Sequence, residues 1–433
     1  MPKKILLILL TGVLILTACQ SETTTPQPSE TPTPEMAAPT AEETAELPEP
    51  TAVLETIEPM PGEKMPCSTV YDYEMTPEMA EYQAVADQLP PVTEEDWIKG
   101  DPDAPVTIVE YADFQCPACG NFSLYVAALL DAFPETIRVV FRHMPLPSIH
   151  PLAYISSMAA EAAGAQDKFW EMHDLLYATQ SEWSGLSEEA FLTWVLTQAE
   201  TLELDLEAFE TVLNDADLRA DLEQTTEDQL ALGLHYTPFV VVNDMVFRNN
   251  QPDLFGLIGI YAYDGFEECP DWVIEPNQDY TAILDTSAGE IEISLFPEVA
   301  PLAVNSFVFL ALNGWYEDVY FHRVIEGFVA QAGDPSGLGV LGPGYTFANE
   351  TANALSFESA GILGMANSGP DTNGSQFFIT LGPAQNLDRS YTIFGQVTEE
   401  SLSVLDEIAL RDPQMAVGFE DATIINGIDI IEE

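Results

Sequence analysis

Phe321-His-Arg-Val-Ile-Glu-Gly-Phe-Val-Ala-Gln-Ala-Gly-Asp-Pro335 places a single arginine, Arg323, among short apolar runs broken by glycine. Downstream come Gly364-Met365-Ala366-Asn367 and then Asn373-Gly374-Ser375-Gln376-Phe377-Phe378-Ile379. Apolar residues of this kind are ordinarily core. Here amides and one guanidinium recur between them. Working outward, Thr281 to Phe296 alternates around Ala288-Gly289, the signature of a hairpin. A helix is expected over Val299 to Asn313, and short strands with Gly-rich loops continue to Ile431. This half reads as a closed β-barrel with a few helices. Gly337 to Gly344 lacks the strand-to-helix setting and the lysine of a phosphate loop.

These segments, with Pro301, Asn305, Phe307, Gly342-Pro343-Gly344-Tyr345 and Phe394-Gly395, resemble the cyclophilin family of peptidyl-prolyl isomerases over about Tyr280 to Ile431. Turning an X-Pro bond means losing amide resonance at the top of a barrier of about 18–20 kcal/mol. No nucleophile, metal or other cofactor is needed. An apolar pocket must hold the proline while a guanidinium donates to its nitrogen and to the adjacent carbonyl. The resemblance implies Arg323 as that donor. It implies Phe328, Val329, Phe378 and Leu387 as the pocket wall, with Gln331, Ala366 and Asn367 on the substrate backbone. Gln376 would support Arg323. Tyr391 stands where many members have histidine, and it still supplies a hydroxyl and a ring face. Asn386 stands where the best-known eukaryotic members have tryptophan, a departure that bears on cyclosporin sensitivity.

A second chemistry lies upstream. Cys116-Pro117-Ala118-Cys119 follows the buried-strand run Val106 to Tyr111 and opens a helical pattern with apolar Phe122, Val126, Leu129, Leu130 and Phe133. A cysteine at a helix N-terminus has its thiolate stabilised by the dipole and by free amide groups. The second cysteine, one turn on, can resolve a mixed disulfide. Zinc would need a second ligand pair, and the remaining cysteines, Cys19, Cys67 and Cys269, are single. His143, His150, His173, His235 and His322 are scattered without metal-ligand spacing and read as packing or surface residues. No Gly-x-Ser-x-Gly elbow occurs.

Around this motif the element order is strand, helix, strand (Ile137 to Phe141), helical insertion (Pro151 to Leu232), hairpin (Phe239 to Arg248) and helix (near Pro252 to Tyr263). Ala104-Pro105-Val106-Thr107, Phe114-Gln115-Cys116-Pro117 and Thr237-Pro238-Phe239 carry a resemblance to the thioredoxin fold, in its DsbA-like branch, over about 92–265. The resemblance implies a cis Thr237-Pro238 bond facing the cysteines and binding substrate backbone. It also implies Glu110 as a buried acid moving protons near the second cysteine. Strong oxidases of the branch often carry histidine where Ala118 stands, and Asp113, if it faces the sulfur, would oppose a thiolate. An oxidase milder than the strongest is therefore expected, with a reductase as the alternative. Cys67 and Cys269 flank the domain almost symmetrically. They either form a structural disulfide tying the preceding segment to the domain's end, or one of them exchanges with the Cys116–Cys119 pair.

Of 433 residues, 72 are acidic and 12 basic, a formal charge of −60. Such a chain repels phosphate backbones, so nucleic acid is excluded as a partner, and the acid excess reads as a solvated surface. Lys3 and Lys4 precede an apolar run from Ile5 to Leu16, too short for a comfortable transmembrane helix. Leu16-Thr17-Ala18-Cys19 resembles the lipobox of bacterial lipoproteins, which implies cleavage before Cys19 and a diacylglycerol on its sulfur. Residues 20 to about 66 are rich in Thr, Pro and Glu and cannot bury a core.

The expected organisation is a signal peptide over 1–18, a disordered tether over 19–66, a DsbA-like domain with an N-terminal extension over 67–272, and a cyclophilin-like domain over 280–433. The expected fold class is multidomain: an α/β thioredoxin-like fold with a helical insertion, followed by a mainly-β cyclophilin-like barrel. Together these imply an extracytoplasmic folding catalyst, lipid-anchored to a bacterial envelope. Its partners would be unfolded or folding exported proteins and a redox partner that the sequence does not identify. A surface-anchored holdase is the alternative of another class.

Overall fold

The computed structural model describes residues 62–72, 75–248, 253–275, 277–413 and 418–432. The leader, Cys19 and most of the Thr/Pro/Glu-rich stretch lie outside the described residues. The chain opens with strand β1 (Ser68–Thr69) and helix α1 (Pro77–Ala86). Thr76 caps α1 by accepting from Met79 N at 3.2 Å, and Pro77 sits where no amide partner is required. Then come β2 (Trp97–Gly100), β3 (Val106–Ala112), α2 (Pro117–Ala132) and β4 (Ile137–His143). Six helices follow: α3 (Ala153–Gly164), α4 (Phe169–Ala178), α5 (Gln180–Trp183), α6 (Glu188–Thr201), α7 (Leu206–Leu213) and α8 (Ala216–Leu232). The unit closes with β5 (Phe239–Val242), β6 (Met245–Val246) and α9 (Leu254–Ala262).

The five strands are ordered β2-β4-β3-β5-β6. β3 and β4 run parallel, as a crossover through α2 requires, and β5 lies antiparallel on the other side of β3. β3 is thus central, and its C-terminal end delivers the chain to Cys116. The sequence pattern does not single out β2, because four residues mixing an aromatic, a lysine and a glycine carry too little periodicity. Trp97 earns its place only in three dimensions, stacking on Phe169 at 4.2 Å and donating to Glu161 at 2.7 Å.

The second unit contains β7 (Tyr280–Thr286), β8 (Gly289–Leu295), α10 (Pro301–Leu312), β9 (Val319–Tyr320), β10 (Arg323–Ile325), β11 (Val329–Ala332) and β12 (Tyr345–Thr346). It continues with β13 (Ile362–Met365), β14 (Phe377–Thr380), β15 (Ile393–Val397) and β16 (Ile424–Glu432). Nine strands are laddered in the order β10-β11-β14-β13-β15-β8-β7-β16-β9. The expected closed barrel is instead a wrapped sheet. Its outermost strands, β9 and β10, are separated only by Phe321 and His322, so the chain itself brings the edges together. No ladder joins them among the described residues, because Val324 of β10 pairs with Arg411 instead.

The expected tether and domain boundary are both shifted. Met65, assigned to the tether, is 1% exposed and packs in the core of the second unit. Met65 N donates to Pro270 O at 2.8 Å, and Lys64 bridges Asp271. Ser68 and Thr69, assigned to the first domain, pair with Thr346 and Tyr345 of β12 in the second. Cys67 and Cys269 are joined in a disulfide beside this pairing. The stretch after Pro270 is no free linker either. Asn305 of α10 accepts from Val273 N at 2.7 Å and donates to Asp271 O at 3.0 Å, while Ile274 is fully buried. Ordering begins before Cys67 because this strap finds backbone partners and an apolar seat on the second unit.

Candidate active sites

The thiol site is built at the end of β3. Cys116 caps α2, with its amide bonded to Asp113 O at 3.0 Å. Both Cys116 and Cys119 are free thiols, 7% and 0% exposed. A hydrogen bond from the Cys119 thiol lowers Cys116 to about 6; burial opposes the shift, while Thr237 and the amides of Cys119 and Ala118 assist it. Cys119 moves the other way. Burial first, then the Cys116 sulfur and the charge of Glu110, raise it well above an ordinary thiol. The two thiols are therefore shifted in opposite directions.

Thr237-Pro238 is cis and faces this pair, with the Cys116 sulfur 3.4 Å from Thr237 O. Thr237 Oγ1 is buried without a partner among the described residues, free to donate toward the sulfur. Glu110 is 1% exposed and does not face solvent. Burial, reinforced by the charge of Cys116, pushes it up to about 8, and its Oε1 has no partner among the described residues. Its carboxyl interacts electrostatically with both sulfurs, and burial holds it toward its protonated form.

Asp113 departs from expectation. Its carboxylate is fully buried but engaged elsewhere, by Gln115 N at 2.8 Å, Leu146 N at 2.9 Å and His150 Nδ1 at 2.8 Å. Its charge is thus compensated rather than turned against the thiolate. His150, read as packing or surface, belongs to the site. Burial works against its charge, but the bond to Asp113 and the nearby Cys116 sulfur raise it above an ordinary imidazole. Gln180 was missed as well; its amide donates to Phe114 O at 2.8 Å and Cys116 O at 2.9 Å, fixing the loop. Neither residue announces itself, since both reach the loop from the helical insertion or its approach.

The proline site lies where β10, β11, β14 and β13 meet. Arg323 faces Gln331 across the β10–β11 ladder, and Gln331 in turn faces Phe378. Val329 and Phe378 are buried with Phe357, Ile362 and Ile393 in one apolar cluster, and Phe328, Ala366, Leu387 and Tyr391 pack against it. The expected pocket residues are thus brought together, and Phe357, which the motifs did not mark, lies 5.3 Å from the Phe378 ring. The Arg323 guanidinium stands 5.6 Å from the centre of the Phe328 ring and has no hydrogen bond or ion pair among the described residues. Gln376 does not hold it. Its Oε1 accepts from Gln331 at 3.0 Å and its amide donates to Leu341 O at 3.1 Å. Asn367 makes only long contacts, at 3.3–3.4 Å, to Asn349, Asn373, Ser390 and Gly369.

Among the described residues no cluster of three or more His, Cys, Asp or Glu side chains gathers to hold a metal, and no helix is long and apolar enough to cross a membrane.

Comparison with known proteins agrees with this division. Residues 281–429 match the family model described as cyclophilin type peptidyl-prolyl cis-trans isomerase, and residues 92–256 match a thioredoxin model. The probable peptidyl-prolyl cis-trans isomerase A of Mycobacterium leprae is 45% identical over 148 residues, which is 30% of this chain and 81% of that protein. Peptidyl-prolyl cis-trans isomerase A of Mycobacterium tuberculosis is 43% identical, covering 33% of this chain and 87% of its own length. The peptidyl-prolyl cis-trans isomerase-like 1 of Rhizopus delemar is 51% identical, covering 27% and 73%.

Proposed function

The chain belongs to the cyclophilin-type peptidyl-prolyl cis-trans isomerase family, with a thioredoxin-like domain ahead of the isomerase domain, and from that premise we propose that it catalyses two slow steps of protein folding. Arg323 donates to the proline nitrogen and the adjacent carbonyl, while Phe328, Val329, Phe378, Leu387 and Tyr391 hold the ring. The observation that carries this reading is a guanidinium that stands over the Phe328 ring at the rim of an apolar cluster, with no hydrogen-bond or ion-pair partner among the described residues. A buried, unpaired cation would be costly; a half-exposed one whose donors stay open is set for a ligand. Gln331, Ala366 and Asn367 are assigned to the substrate backbone. The Gln331–Gln376 pair stiffens that wall.

In the first domain, Cys116 exchanges disulfides with substrates lying along Thr237-Pro238, Cys119 resolves them, and Glu110 takes or gives the proton. The DsbA-like, oxidising direction is supported by the low Cys116 pKa. A stabilised thiolate favours the reduced form and makes the disulfide a better oxidant. Export and attachment through a lipid on Cys19 are supported by the Leu16-Thr17-Ala18-Cys19 pattern. The clients would then be unfolded or folding exported proteins.

Three measurements test these readings. Absence of turnover of an X-Pro tetrapeptide would remove the isomerase. A Cys116–Cys119 potential near or above about −200 mV fits an oxidase, whereas about −270 mV or lower marks a reductase. An intact mass of the cell-derived protein that starts at Cys19 with a diacylglyceryl group is expected; an unmodified N-terminus would dismiss the lipid anchor.

A further inference from the structure

A cavity of about 670 Å³ lies where the two domains meet. One wall is the isomerase domain's own: Gln331, Ala366, Asn367 and Gln376 all border it. The facing wall comes from elsewhere in the chain. Val70 belongs to the strap, Tyr125 to α2, and Phe247, Leu254 and Phe255 to the end of the thioredoxin-like domain. The residues assigned to substrate backbone thus look across at aromatic and aliphatic groups of the other domain.

This wall is held in place. The Cys67–Cys269 disulfide and the β1–β12 ladder fasten the strap, and Val70 N donates to Gly344 O at 3.0 Å. Leu341, in the loop that receives the Gln376 amide, is 1% exposed and packs with Leu254, Leu257 and Ile260 of α9. Gly259 of α9 lies so close to Gly342 O that a Cβ there would overlap the oxygen. Tyr125 meets Phe255 edge-on at 6.4 Å between ring centres.

The chemistry of the cavity suits one kind of occupant. Amides on one side can bond a peptide backbone, apolar rings on the other can take side chains, and the volume is that of a typical ligand pocket. Among the described residues the charged ones lining it are Asp72 and Asp253, so an acidic segment is disfavoured. A substrate bound at Arg323 must continue past its proline. Because Arg323 and Gln331 are cross-strand partners, the cavity begins one strand from the arginine.

We propose that the thioredoxin-like domain forms part of the isomerase's substrate site: the interdomain cavity binds an extended, apolar, non-acidic polypeptide segment flanking the target proline, with Tyr125 and Phe255 as its specificity-determining residues. The proposal rests on the isomerase reading of Arg323. It makes the two domains a single binding surface for one unfolded chain.

The test compares two substrates on the full chain: a tetrapeptide with an X-Pro bond, and a longer peptide with the same bond flanked on both sides by apolar residues. In Phe255→Ala, KM for the longer peptide should rise at least about fivefold with kcat unchanged, as loss of a buried aromatic contact predicts. The tetrapeptide's kcat/KM should stay at the parent value. Equal effects on both peptides, or none on either, would overturn the proposal. No turnover of the tetrapeptide by the parent would instead strike the isomerase reading, and this proposal with it. A second measurement needs no variant. A longer peptide carrying a photoreactive phenylalanine in its flank should label the parent at Tyr125 or within residues 253–262. Labelling confined to residues 280–432 would overturn the proposal.

Discussion

The two candidate sites solve opposite problems. At the thiol site the reactive atoms are buried and their reactivity is stored as charge: Cys116 down to about 6, Glu110 up to about 8, Cys119 up with it. At the proline site what matters is one guanidinium and the rings around it. Chemistry that makes and breaks bonds to sulfur needs protons moved at the working pH. Rotation about an amide needs only shape and a fixed cation. The first site should therefore respond steeply to pH, and the second hardly at all across the neutral range.

The sharpest way to break this contrast is to remove one reacting group at a time. Cys116→Ser should abolish thiol–disulfide exchange while leaving isomerase kcat/KM on a tetrapeptide unchanged. Arg323→Ala should do the reverse, lowering isomerase kcat/KM by about 10²–10³ with exchange intact. Retained isomerase activity in Arg323→Ala would return the arginine to the role of an ordinary surface cation. A large loss of both activities in either variant would show that the sites are not chemically independent.

How much of this could be read in the chain differs between the sites for the same physical reason. The proline site is built mostly from adjacent strands of one sheet, so its residues come in short contiguous motifs: Arg323 to Gln331, then Ala366 to Phe378. The CxxC and Thr-Pro motifs were legible because each is local. His150 and Gln180 were not, because they act on the Asp113–Cys116 loop from more than thirty residues away, and nothing in their own neighbourhood differs from packing. The strap was misjudged for a related reason. Thr/Pro/Glu-rich composition ends gradually, and Met65 reveals its burial only against α10. The bonds that Gln376 makes, to Gln331 and Leu341 O, are not legible in the sequence because an amide's partner is set by what folding brings beside it.

The next effect concerns stability. Glu110 has a folded pKa near 8 against an ordinary value of 4.5, so its ionised form is the one that folding penalises. Stability from this group is full below pH 4.5 and is lost as the pH rises toward 8. At pH 7 the loss is about 3 kcal/mol by linkage. Glu110→Gln removes the charge and should flatten that decline. Urea unfolding of the reduced protein at pH 5 and pH 8 reads it directly. If parent and variant show the same pH slope, the carboxyl is not titrating in that range. The same variant should slow resolution of mixed disulfides, since Cys119 loses a buried carboxyl group that interacts with it.

The smallest expected effect is the one that most sharpens the contrast. His150 is bonded to Asp113, whose carboxylate also holds Leu146 N and Gln115 N, and the imidazole, raised above its ordinary value, is, among the described residues, the side chain bonded there that can carry a positive charge. Removing it leaves Asp113 uncompensated close to the sulfur. His150→Gln, which can keep a hydrogen bond but not the charge, should therefore shift the pH midpoint of Cys116 alkylation upward from about 6. The rate at high pH, where the thiolate is fully formed in both proteins, should be unchanged, because the substitution alters the thiolate's population and not its access. An unmoved midpoint would mean that Cys119 and Thr237 set the thiolate without help. A changed plateau would mean that His150 holds the loop's shape and not its charge. The parallel measurement at the proline site should be flat, and a bell-shaped isomerase profile near neutrality would show that a titrating group acts there after all.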